Sequence, residues 1–214
     1  MSVLMRAPRE CGSWWWDLDG VTAPGLGAAL ATAARMADVL ESGGLLEPAS
    51  LEWSWWQPGV GGLGSHSRLD LAGRRIDAAS VAERAEACRP AGYPAAEMSS
   101  ILVLGRGMWW DGKGNSRWEP GLVELTVSPD PVSSWAELAV HHDVWARYDF
   151  RGRPQPAVHA RNAPRLAAAL RGLDALLGVD GEPGEPTYFG TAVGHGLKVP
   201  DVIDGLGPDL TDLL

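Results

Sequence analysis

Residues 135–150 read WAELAVHHDVWARYDF, and their period of two decides how the chain is placed. Ala136, Leu138, Val140, His142, Val144, Ala146, Tyr148 and Phe150 fall on one side. Trp135, Glu137, His141, Asp143, Arg147 and Asp149 fall on the other. Successive strand residues point to opposite faces, so this alternation predicts one long strand, or two joined by a bulge near Asp143. Working backwards, Val123, Leu125 and Val127 alternate with Glu124, Thr126 and Ser128, and Ile101–Leu104 is a short unbroken apolar run. Leu51–Trp56 reads as an earlier strand and Arg68–Leu71 as a weaker one. After Phe150, Arg151–Pro154 reads as a turn, with a short strand at Ala157–His159. Strands that follow one another without helical crossovers pair antiparallel.

Three helices complete the pattern. The first runs from about Ala23 to Leu40, with Thr22 as cap and Leu26, Leu30, Ala33, Ala37 and Leu40 on its apolar stripe. The second covers about Val81–Arg89, where Ser80 and Glu83 have capping-box spacing. The third starts at an Asn162 cap, with Pro164 early and Leu166, Leu170, Leu173 and Leu177 recurring at helical spacing until Gly178. The expectation is a single α+β domain over 1–214. An antiparallel sheet of five or six strands carries the three helices mainly on one face, and an acidic Gly/Pro-rich segment begins at about 179. Gly59–Ser67, Asp111–Ser116 and Asp180–Pro186 read as loops.

Composition narrows the function classes. Net charge is −9, which disfavours nucleic acid as a direct partner. The surplus gathers at the carboxyl end, where Asp201, Asp204, Asp209 and Asp212 are opposed only by Lys198. Just upstream, Arg147, Arg151, Arg153, Arg161, Arg165 and Arg171 face a lone acid, Asp149. Either the two segments neutralise one another, or the acidic tail is displayed to a basic partner. Cys11 and Cys88 are too few for a disulfide framework. Residues 1–10 lack the apolar core of a secretory signal, and no stretch is long enough to span a bilayer, so the expected location is cytoplasmic.

Eleven tryptophans stand out in a chain of 214 residues. Trp53 and Trp55 share a strand face and are expected in the core. Trp109 and Trp110, beside Asp111–Gly114, are the pair expected to leave at least one indole exposed. No nucleophile elbow, P-loop or HExxH occurs. Gly59–Gly64 satisfies GxGxxG, but no helical period follows to hold a pyrophosphate. His141, His142 and Asp143 are metal-ligand types, yet strand geometry sends the two histidines to opposite faces. Nothing calls for a metal or other cofactor.

Two resemblances bear on function. Asp17-Leu18-Asp19-Gly20-Val21-Thr22 is similar to the first motif of haloacid-dehalogenase-type phosphatases. That likeness implies Asp17 as nucleophile and Asp19 as general acid, with a Lys, Mg²⁺ and a parallel sheet. As a small, acidic α+β chain without a catalytic signature, the whole resembles bacterial toxin-system immunity proteins as a class. That likeness implies a non-catalytic module that sequesters a basic protein such as a toxin. Asp201, Asp204, Asp209 and Asp212 would then steer the partner, and Trp109 and Trp110 would anchor it. A carbohydrate or small-ligand module built on the clustered indoles is the third expectation.

Overall fold

The computed structural model describes residues 4–130 and 132–214; the reading of residues 1–10 as free of a secretory signal therefore lies partly outside the described residues. The protein is α+β, with three α-helices among the described residues and one large sheet whose pairings are all antiparallel. The strands are β1 (Gly12–Asp17), β2 (Glu47–Gln57), β3 (Gly61–Asp70), β4 (Glu97–Met98), β5 (Ile101–Trp110), β6 (Ser116–Pro120), β7 (Glu124–Val127), β8 (Trp135–Val140) and β9 (Glu182–Pro183). They run in the order β3-β2-β5-β7-β8-β1-β9, with β4 beside β2 and β6 beside β5. The sheet has nine strands, where five or six were expected. The five strands read from the sequence lie within β2, β3, β5, β7 and β8; the excess is β1, β6 and the short β4 and β9. A backbone ladder needs no apolar alternation to form, so those strands left no period in the sequence.

Register explains the core. Leu69, Leu51, Val103, Leu125, Leu138 and Trp14 stand opposite one another in a row across six strands. All six are buried. The adjacent row, Arg68, Glu52, Leu102, Thr126, Glu137 and Trp15, points to the other side and is exposed or half-buried. A slip of one residue would exchange the rows and lose roughly 1.5–3 kcal/mol for each large apolar side chain brought out. Against the buried row lie α1 (Leu26–Ser42), with Leu30, Ala33, Met36, Ala37 and Leu40 buried, and α3 (Pro156–Leu177), with Leu166, Leu170 and Leu173 buried. The two helices pack closely at Gly172, where an added Cβ would sit 3.0 Å from Val39. The chain leading into β2 also crosses β5 closely. A Cβ at Gly105 would meet the Glu47 carbonyl oxygen at 2.1 Å, and one at Gly107 the Leu45 carbonyl oxygen at 2.1 Å.

Several local expectations are corrected. The strand opening at Trp135 stops at Val140; residues 143–145 form a 3-10 turn, which buries both Asp143 and Trp145. The third helix begins at Pro156, not after Asn162, and absorbs the short strand expected at Ala157–His159. Pro156 suits a first turn because its missing N–H has no partner there anyway. Asn162 is fully buried mid-helix, where its amide brackets Trp110 by accepting from the backbone N–H (2.9 Å) and donating to the carbonyl (2.8 Å). Ser80 and Glu83 form no capping box, because α2 (Ala79–Ala87) starts two residues early, with Ala78 at the cap, and places Ser80 inside its first turn. Thr22 is likewise no cap; α1 begins after Gly25. Gly59–Ser67 is the β2–β3 turn together with most of β3, not a loop.

Candidate functional site

Beyond the left-handed Gly178 that ends α3, residues 179–214 carry little regular structure. Proline and glycine recur too often there for a ladder or helix to propagate. Besides β9, they form the small hairpin of β10 (Ala192–Val193) and β11 (Gly196–Leu197), followed by isolated bridges. Side chains fasten this segment to the body. Asp174 on α3 accepts from the Trp16 indole N–H (2.8 Å) and the Gly181 N–H (2.9 Å), and bonds His195 Nε2 at 2.6 Å. Burial pushes the Asp174 carboxyl up, but these bonds outweigh it and hold the group below its ordinary range. Trp14 donates to the Gly194 carbonyl, and Thr187 Oγ1 to the Glu10 carbonyl at 2.6 Å. Further on, the Gly207 N–H donates to Gly152 (2.9 Å) and the Leu210 N–H to Phe150 (2.7 Å).

This anchoring exposes what ordinarily stays inside. Ile203-Asp204-Gly205-Leu206 is a two-residue turn with both central residues at positive φ, 51° and 79°, closed by Ile203–Leu206 hydrogen bonds of 2.9 Å. Asp-Gly is the sequence that tolerates such a turn. It holds Ile203 76% and Leu206 55% exposed, while Tyr188, in a neighbouring loop, is 83% exposed. Asp201, Asp204, Asp209 and Asp212 are all exposed, and none forms an ion pair among the described residues. Asp209 accepts from the Thr211 hydroxyl (2.7 Å) and N–H (3.0 Å), which lower its pKa. Beside them opens a cleft of about 220 Å³ lined by Tyr148, Phe150, Phe189, Val199 and Leu210, with Asp149, Lys198 and Asp201 along it. Phe150 and Phe189 meet edge to face beneath it, their centroids 5.6 Å apart.

The arginine-rich segment does not neutralise this tail by direct pairing. Arg147, Arg151, Arg153, Arg161 and Arg171 are exposed and make no ion pair among the described residues. Arg165 is spent inside the fold, donating to the carbonyls of Met108 (2.7 Å) and Gly43 (2.8 Å).

The tryptophan pair is relocated. Trp109 is buried, while Trp110 is half-buried with its backbone held by Asn162 of α3. The exposed indole is Trp118 on β6, at 51%, with the Arg106 guanidinium 4.7 Å from its ring centroid. Trp53 and Trp55 are buried edge to face as expected. The displayed side chains, Tyr188, Ile203 and Leu206, were missed. Their signal was the Asp-Gly pair flanked by two apolar residues.

The remaining motifs have structural uses. Asp17 ends β1 and accepts the Asp19 N–H (2.9 Å), while Asp19 accepts the Ser134 N–H (2.7 Å). Lys198 lies toward the opposite end of β1, since its neighbour Leu197 packs at Gly12. The antiparallel sheet is not the parallel one that the phosphatase resemblance implied.

His141 Nε2 lies 3.2 Å from Glu124, and Arg6 reaches the same carboxylate. The His141 hydrogen bond, seconded by Arg6, lowers the Glu124 pKa to about 2 against the cost of burial. His142 is buried with no hydrogen-bond partner at either nitrogen among the described residues, and burial lowers its pKa to about 4. Burial raises the Asp143 carboxyl to about 7, although the Met5 N–H donates to it at 3.2 Å. Burial likewise pushes the Cys11 thiol far up, away from any nucleophilic role. Among the described residues no three His, Cys, Asp or Glu side chains are grouped to hold a metal ion. No helix of the described residues is long and apolar enough to cross a membrane.

No protein-family model matches the chain, and no curated protein or solved structure matches it either.

Proposed function

We propose that this chain is a non-catalytic protein-binding module of the immunity type, which sequesters a basic partner such as a toxin through its C-terminal face. One observation carries the reading: Ile203 and Leu206 are held out in solvent by the Asp204–Gly205 turn, among carboxylates that form no ion pair among the described residues. Large apolar side chains displayed on a fixed turn suit desolvated anchors at the centre of an interface. Surrounding acids raise the encounter rate with a basic surface and disfavour acidic competitors. Pre-ordering by the Asp174–His195 and Trp14–Gly194 fastenings removes part of the entropy cost of binding. The anchors are therefore Tyr188, Ile203 and Leu206 in place of Trp109 and Trp110. The steering groups stay Asp201, Asp204, Asp209 and Asp212.

The test is co-expression with the protein encoded beside it, followed by co-purification and calorimetry. The proposal expects a 1:1 complex that weakens when Ile203 becomes Asp. A complex indifferent to Ile203→Asp, or no association even at low salt, contradicts it.

A further inference from the structure

The C-terminal face carries both signs of charge. The Arg147–Arg153 loop and residues 207–210 run side by side, joined by the Arg151–Asp209 bridge and the Gly207–Gly152 and Leu210–Phe150 hydrogen bonds. Arg147, Arg151 and Arg153 form one strip, and Asp201, Asp209 and Asp212 belong to the other. All are exposed, and none is in an ion pair among the described residues. The exposed apolar turn Ile203–Leu206 leads directly into Gly207, which packs at Tyr148 on the rim of the cleft.

We infer that a second copy of this chain covers this face when no other partner does, as a two-fold dimer with each arginine strip against the other copy's aspartates. The inference rests on the reading of this face as an interaction surface. A basic partner is drawn to the acidic strip and the Ile203–Leu206 turn but gains nothing from Arg147, Arg151 and Arg153, which stay uncovered by it. A copy rotated by a two-fold axis between the strips meets attraction at both, because an isologous interface sets each patch against its complement. Within one chain Arg151 and Arg153 help to lower the Asp209 pKa, after its bonds to Thr211, but neither forms an ion pair with it, and an exposed attraction of this kind contributes little and is screened by salt. The dimer also removes Ile203 and Leu206 from water. A basic partner engaging the acidic strip then competes with the second copy for the face.

Sedimentation of the full chain tests this. The expected result is a monomer–dimer equilibrium with the dimer favoured at ~200 µM over ~5 µM. Raising salt to ~0.5 M should weaken the dimer about tenfold or more. Ile203→Asp should give monomer throughout. A charge-reversal pair makes the test specific. One variant carries Arg147→Glu, Arg151→Glu and Arg153→Glu; the other carries Asp201→Arg, Asp209→Arg and Asp212→Arg. Each alone should be monomeric with unchanged circular dichroism, and the two mixed should form a heterodimer. Should either reversal variant fail to fold, Ile203→Asp and the salt series decide alone. A wild-type chain that stays monomeric at ~200 µM in low salt overturns the inference, as do folded reversal variants that ignore each other. A monomer that still binds its basic partner leaves the proposed function standing; a dimer that binds none defeats the proposed function and spares the dimer.

Discussion

Asp143 shows how burial and hydrogen bonding compete at one carboxyl. Burial dominates, the Met5 and Phe150 backbone N–H groups offset part of it, and the pKa settles near 7. A raised acid favours the protonated fold, so its contribution is complete below the unfolded value near 4 and is lost as pH rises through 7. His142, lowered to about 4 by burial, has the opposite sense: its contribution is full above ~6.5 and fades as pH falls towards 4. Glu124, held near 2 by His141 and Arg6, loses its share only as pH falls from ~4.3 through 2. Asp143→Asn should therefore raise stability on the order of 2 kcal/mol at pH 8 and scarcely change it at pH 4. Urea midpoints at the two pH values check this; an equal gain at both would mean that ionisation of Asp143 is not the cause.

At the level of elements, legibility followed packing. The buried row was readable because Val123, Leu125 and Val127 and the leucines of α3 each carry a period tied to a covered face. β3 was half missed because Gly61, Gly62 and Gly64 supply ladder hydrogen bonds without side chains to betray a face. The strand from Trp135 was overextended because a 3-10 turn at Asp143 buries Val144 and Trp145 while the alternating pattern continues in the sequence. Of the candidate site, the acidic tail was legible from charge alone. The exposed apolar side chains were not, since exposure of Ile203 follows from the turn geometry and not from residue type.

Gly107→Ala should destabilise by ~2 kcal/mol or more, because the new Cβ meets the Leu45 carbonyl in a packed crossing. A melting temperature within a degree of wild type would contradict that close approach. Gly205→Val, at φ 79°, should deform the turn and reduce partner binding several-fold. Its effect on global stability should stay near 1 kcal/mol, since the turn contributes no core side chain. Calorimetric binding beside thermal unfolding separates the two.

On the scale of the whole molecule, charge is segregated without being cancelled. The chain carries −9, and its acidic tail and arginine loop are neighbours that leave one another unpaired. Among the described residues, apolar side chains near the tail's end stay in solvent while 45 others close into a contiguous buried cluster. The Ile203–Leu206 turn contributes no side chain to that cluster. Replacing Asp201, Asp204, Asp209 and Asp212 with Asn should leave the melting temperature within a few degrees, as exposed substitutions away from the core usually do.

The most direct measurement is the stopped-flow association rate with the co-purified basic partner, taken for wild type and this four-Asn variant across ionic strength. The wild-type rate should fall steeply with salt, and the variant should be at least ~10-fold slower at low salt and converge with wild type at high salt. Two rates that coincide at every ionic strength would contradict the claim that the tail's carboxylates face outward to meet a partner.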